Sequence, residues 1–354
     1  MRPLLFRALV VGAVVVVGGA GFAGGWLLKP AASSSPETLS VIAAGSLAPI
    51  LPAFATAYAA TVPGVQAPVS AQLYEGSSTA ASSLAGGHQP YDLFVAADFR
   101  TIPSDLETPA PTVASWEVVF ASDPIVLAYA KSDSTLGGIS TTNWWTDIVK
   151  PGVILGVPNA SADPLGANAI FALELQDAAA SLSGALYGHF FDGSEGALAE
   201  PTSSTLYVSE NVAGTALSSG EVDVYLIYKS YAVADHLKYL NLTAGVDLGG
   251  TSASNVSAYA SATTTVLSGT GTKLDKGAPV LFSLTVPSTA SSVALGLSFA
   301  AYLLSNATAS TWASYGFTPL VPQWSDAPAR VPAILSGSPS TGVTGLPSYL
   351  GALL

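Results

Sequence analysis

The 354-residue chain is 49% hydrophobic and only 10% charged, with a formal net charge of −12, which leaves apolar material for a sizeable core and room for two domains. Eleven basic residues against 23 acidic ones argue against a nucleic-acid partner, because such binding neutralises phosphates with lysine and arginine. With no cysteine in the chain, neither a disulfide framework nor a thioether-linked lipid is available.

Residues 8–28 are uncharged and mostly apolar; as a helix they would span roughly 31 Å, about one hydrocarbon core. Arg2 and Arg7 precede this run and only Lys29 follows it, which predicts a cytoplasmic N-terminus and an extracytoplasmic remainder. The length of residues 1–30 favours a retained membrane anchor, while Ala31-Ala32 and the short basic start suit a cleaved signal peptide; the anchor is the preferred reading, placing the protein at the cell surface. All the acidic residues lie beyond this segment, and the sequons at Asn159, Asn241, Asn255 and Asn306 fit an exported chain. Residues 31–37 (AASSSPE) read as a flexible linker.

Folded sequence is expected from Thr38. Leu39–Ala44 reads as a short strand, and Leu47, Ile50, Leu51, Phe54 and Tyr58 follow at helical spacing. The same grammar returns with a strand at 67–74, a turn at 76–79, a helix to Leu84 and a strand at 92–97. Next come two long apolar strands, 124–129 and 279–286, suited to pass between two lobes. Between them lie a strand at 153–157, a helix from 167 to about 187, a short helix at 212–217 ended by Gly220, and a strand at 222–228. The alternation predicts an α/β fold with largely parallel sheets. The expected division is lobe 1 from 38–123 and 281–324, and lobe 2 from 124–280. The Pro/Gly/Ser-rich tail, 325–354, reads as mostly extended or disordered, although 331–335 and 350–354 are apolar enough to dock.

Four turns place small or hydroxyl-bearing residues before a helical run: Ala44-Gly45-Ser46-Leu47, Glu75-Gly76-Ser77-Ser78-Thr79, Asp163-Pro164-Leu165-Gly166 and Glu210-Asn211-Val212-Ala213. Helix N-termini carry unpaired N–H groups and the positive end of the backbone dipole, so several converging on one point cradle an anion without basic side chains. Ligands of α/β sheets sit at the carboxyl ends of strands, where these turns fall. Ser46 and Ser77, each taken alone, read first as helix N-caps, a role compatible with an anion bound at the same place. Asp163-Pro164 has the form of an N-cap aspartate with proline at the first helical position. Tyr228 is a core aromatic or a site residue, and strand alternation turns Lys229 to solvent. His88, His189 and His236 show no metal-ligand spacing.

Together with Tyr91-Asp-Leu-Phe-Val-Ala-Ala-Asp98, Ile125–Tyr129, Asn143-Trp144, Gly156-Val-Pro-Asn159, Tyr228-Lys-Ser230 and Tyr315-Gly-Phe317, these segments resemble, in order and spacing from about Leu39 to Phe317, the substrate-binding proteins of molybdate/tungstate ABC transporters. The archaeal-type branch is the nearer match. The resemblance implies a two-lobed periplasmic-binding-protein type II fold with a cleft between lobes, a monomer, and an ABC permease as partner. It implies molybdate or tungstate as ligand, no other cofactor, and no catalysis. It carries hydroxyl donors onto Ser46, Ser77 and Tyr228, backbone donors onto Leu165 and Val212, and a metal-approaching carboxylate onto Asp163. A second carboxylate of that branch falls on Ile227, which has none, so at most one protein carboxylate is expected at the metal unless another, Glu75 or Glu210, replaces it.

Sulfate, phosphate and a ferric chelate are the alternatives within the binding class. A secreted serine hydrolase lacks a Gly-x-Ser-x-Gly elbow around Ser46 or Ser77, and a structural surface protein lacks an internal repeat.

Overall fold

The computed structural model describes residues 36–87, 90–108, 113–130, 136–268, 270–336 and 342–354. The expected anchor and His88 lie outside the described residues, among which no single helix is long and apolar enough to cross a membrane. Glu37–Thr38 pairs in parallel with Val65–Gln66, so Glu37, the last residue of the expected linker, is already in a strand.

In chain order the strands of the two main sheets and one hairpin are β1 Val41–Ala44, β2 Gln72–Glu75, β3 Leu93–Ala96, β4 Val118–Ser122, β5 Ile125–Tyr129, β6 Leu155–Val157, β7 Thr205–Tyr207, β8 Val224–Tyr228, β9 Lys238–Asn241, β10 Thr263–Ser268, β11 Gly271–Lys276, β12 Leu281–Thr285, β13 Thr318–Ser325 and β14 Val343–Gly345. The helices that matter for the site are α1 Leu51–Thr61, α2 Ser77–Ala85, α3 Pro164–Ala180, α4 Ala213–Ser219, α5 Lys229–Ala234 and α6 Ala253–Tyr259; a one-turn helix, α7 Ser348–Gly351, ends the chain.

Seven strands form one sheet, in the order β14-β13-β4-β12-β3-β1-β2, and five form the other, β7-β6-β8-β5-β9. Strands β1, β3, β4, β8 and β12 are buried along their whole length, as expected of continuous apolar runs covered on both faces. The sheets are mixed rather than largely parallel. β1 pairs in parallel with β2 and β3, but β12 enters antiparallel between β3 and β4, and β5 runs antiparallel to β8 and β9.

The chain leaves the larger sheet at Ser122, enters the smaller at Ile125, and re-enters the larger at Leu281. The two crossings lie side by side: Asp123 N–H donates to the Val280 carbonyl at 3.1 Å. Ser122 Oγ donates to the Gly249 carbonyl at 2.7 Å, and Lys229 N–H to the Pro124 carbonyl at 2.9 Å. Lys229 therefore opens α5, half-buried beside the crossing, instead of facing solvent from a strand.

Two further expectations are corrected. The helix after Asp163 stops at Ala180, because Ser181 is left-handed (φ 56°) and the Asp177 carboxylate accepts from Leu186 and Tyr187 N–H at 2.9 and 2.8 Å, starting a separate helix, Ala185–Phe190. The tail is folded over its described residues. β14 adds to the larger sheet parallel to β13, and Leu350 is fully buried in a cluster with Phe99, Val119, Val256 and Leu281.

Candidate functional site

The four turns meet in pairs. After β1, residues Gly45–Leu47 make a single 3-10 turn in which Ser46 is fully buried. Its N–H donates to Glu210 Oε1 at 2.7 Å. A β-carbon at position 45 would lie 2.5 Å from that same oxygen, so glycine is what lets the carboxylate reach the turn. On the other side, a β-carbon at position 76 would lie 2.4 Å from the Ala162 carbonyl oxygen and 3.0 Å from Asp163 Cβ. Thr79 Oγ1 donates to that carbonyl at 3.2 Å. The first turn thus closes on the fourth and the second on the third.

The hydroxyls named from sequence are buried there with capacity to donate. Ser46 Oγ has no hydrogen-bond partner. Ser77 Oγ accepts from Ala97 N–H at 2.9 Å, and Tyr228 Oη accepts from Asn168 Nδ2 at 3.1 Å, which leaves the proton of each for a further acceptor. The Tyr228 ring is held edge-on against Phe282, centroids 5.6 Å apart. Asn168 was missed in the sequence; it sits one turn into α3, where nothing in its neighbours marks it.

Asp163 is the N-cap of α3, its Oδ1 accepting from Leu165 N–H at 2.9 Å. Burial pushes its carboxyl up to about 6. Glu210 is buried, its Oε2 without a partner. Burial first, and the neighbouring Asp163 charge second, push its carboxyl well above the usual range. Tyr228 feels both carboxylates. Glu210, from the fourth turn, is thus a second buried carboxyl close enough to Asp163 to feel its charge. Ile227 itself is a buried core residue of β8.

The two assigned backbone donors are already engaged. Leu165 N–H serves the Asp163 cap, and Val212 N–H donates to the Ser209 carbonyl at 3.1 Å while its side chain is exposed. Among the described residues no three His, Cys, Asp or Glu side chains group as a metal-ion site.

Two sheets joined by paired crossings, with turns that close on one another, make the fold of the type II periplasmic binding proteins. The periplasmic molybdate-binding protein of Azotobacter vinelandii has the same fold at a TM-score of 0.55 and 12% identity, covering 79% of this chain and 98% of that one. The sulfate-binding protein of Mycobacterium tuberculosis matches at 0.51 and 15%, covering 89% and 96%. Residues 39–318 match the bacterial extracellular solute-binding proteins, and the chain belongs to that family, whose work is binding rather than catalysis. An uncharacterized solute-binding protein of Methanococcus maripaludis strain C5 is 28% identical over 77% of this chain and 81% of its own length. A molybdate/tungstate-binding protein of Thermococcus kodakarensis is 24% identical over 65% and 66%.

Proposed function

We propose that this chain captures molybdate or tungstate outside the cell membrane and delivers it to an ABC permease, acting as a monomer held at the membrane by its N-terminal segment. The lobes would be 38–123 with 281–324, and 124–280, hinged at the paired crossings. The observation that carries the ligand class is the meeting of Asp163 and Glu210, two buried carboxyls of which the first raises the second, with no ion pair to either among the described residues. Sulfur and phosphorus in sulfate and phosphate take no further oxygen ligand, so neither ion uses the two carboxyls as ligands. Hexavalent molybdenum and tungsten expand their shells, so the same carboxylates become ligands. Ser46, Ser77 and Tyr228 then donate to the oxo groups, each bond to a charged acceptor contributing about 1.5–3 kcal/mol. The name of the Thermococcus relative supports this reading.

Calorimetric titration with molybdate, tungstate, sulfate and phosphate tests it. The expected result is molybdate and tungstate bound at least about tenfold more tightly than sulfate, a difference of ~1.4 kcal/mol. Equal or tighter sulfate binding would sink the assignment.

A further inference from the structure

The β10–β11 hairpin belongs to neither large sheet. Its strands pair antiparallel with Thr263 opposite Lys276 and Ser268 opposite Gly271, an arm of roughly 20 Å at ~3.4 Å per residue. Along one side it is bonded to the half of the molecule that holds the smaller sheet. Thr263 N–H donates to Glu174 Oε2 on α3 at 2.7 Å, Thr265 N–H to the Ala197 carbonyl at 3.1 Å, and Thr265 Oγ1 to the Gly196 carbonyl at 2.8 Å. Near the tip, Leu267 N–H donates to Ser161 Oγ at 2.8 Å, two residues before Asp163.

At its base the arm is bound to the other half. Arg100, in the loop after β3, donates from Nη1 to Asp275 Oδ1 at 2.8 Å and to the Lys276 carbonyl at 3.0 Å. The same guanidinium holds Asp98 through Nη2 at 2.7 Å and Nε at 3.0 Å. These side chains are only 14–17% exposed, so water screens the pairs weakly. Burial alone would raise the Asp98 carboxyl, but Arg100 outweighs it and holds the carboxyl below its ordinary value. The other ion pair among the described residues, Lys150–Asp147, is local; Arg100–Asp275 joins segments 175 residues apart.

We propose that the hairpin is a clasp across the cleft, with the Arg100–Asp275 pair as its catch, and that release of this catch limits the lobe opening through which ligand leaves. Separating the lobes strips the arm from Arg100 at the base or from Ser161, Ala197 and Glu174 along its length. The single charged joint is the one that a point substitution removes cleanly. Arg100 and Asp275 are positioning residues in this scheme, acting through the arm and touching no ligand. The ligand part of the proposal rests on the oxyanion reading; the clasp itself does not.

The absence of cysteine allows spin labels at Ser82→Cys on α2 and Ser218→Cys on α4, both exposed, to report lobe separation in the full chain by pulsed electron resonance. In the unliganded protein Asp275→Asn is expected to add a population at longer distance, and Asp275→Glu to restore the original distribution. Molybdate dissociation, followed by tryptophan fluorescence, is expected to accelerate about tenfold in Asp275→Asn with the association rate changed less than about twofold. An unchanged distance distribution in Asp275→Asn overturns the clasp, as does a lowered melting temperature with no change in distance. A shifted distribution together with no response to molybdate in the parent protein upholds the clasp and contradicts the oxyanion reading.

Discussion

Ser46 is fully buried, its N–H donating to Glu210 Oε1 and its hydroxyl without a partner. Removing the hydroxyl in Ser46→Ala leaves the turn intact, and Tyr228→Phe keeps the ring against Phe282 while removing its proton. Each is expected to weaken molybdate binding roughly 10- to 150-fold, the equivalent of ~1.5–3 kcal/mol, with little change in melting temperature; calorimetry on the two variants checks this, and normal affinity in both would show the site to be misplaced. Ser46 could be named as a candidate because a hydroxyl before a helical run has a local physical meaning, whereas Tyr228 was named through the family resemblance. Glu210 was visible as the opening residue of the fourth turn, but its contact with the first turn was not, because only folding sets it against Gly45. The engaged Leu165 and Val212 amides were equally out of reach, since whether an N–H is spent depends on cap geometry and not on residue type.

Among the elements, the strands β1, β3, β5, β8 and β12 follow from short apolar runs, and α2 and α4 from turn residues at their starts. The order of pairing does not follow from such runs. β12 arrives from far along the chain and inserts antiparallel between β3 and β4, a placement that no local period encodes. The tail misled for a related reason: its prolines and glycines forbid sustained regular structure, but three residues suffice for an edge strand and one leucine for an anchor. Leu350→Ala removes that buried anchor and is expected to cost about 2 kcal/mol, read as a lower melting temperature by scanning calorimetry; an unchanged transition would mean that α7 adds nothing to the cooperative fold.

Over the whole molecule, buried carboxyls set the pH response. Burial pushes Asp123 at the crossing and Glu174 on α3 up to about 7. Folding therefore favours their protonated forms, so the stabilisation is complete below the ordinary carboxyl range and is lost as pH rises through about 7. Unliganded protein is expected to melt at a higher temperature at pH 5 than at pH 8, as followed by circular dichroism; the reverse order would mean that these groups are better solvated than their burial implies.

The proposed seating of tungstate among Asp163, Glu210 and the hydroxyls of Ser46, Ser77 and Tyr228 leads to one test of the central claim. X-ray absorption at the tungsten edge of the tungstate complex is predicted to show six oxygens, four short oxo bonds and two longer bonds from Asp163 and Glu210. A regular four-oxygen shell in the bound complex would contradict it, leaving the carboxylates as neighbours of the ligand and not its ligands.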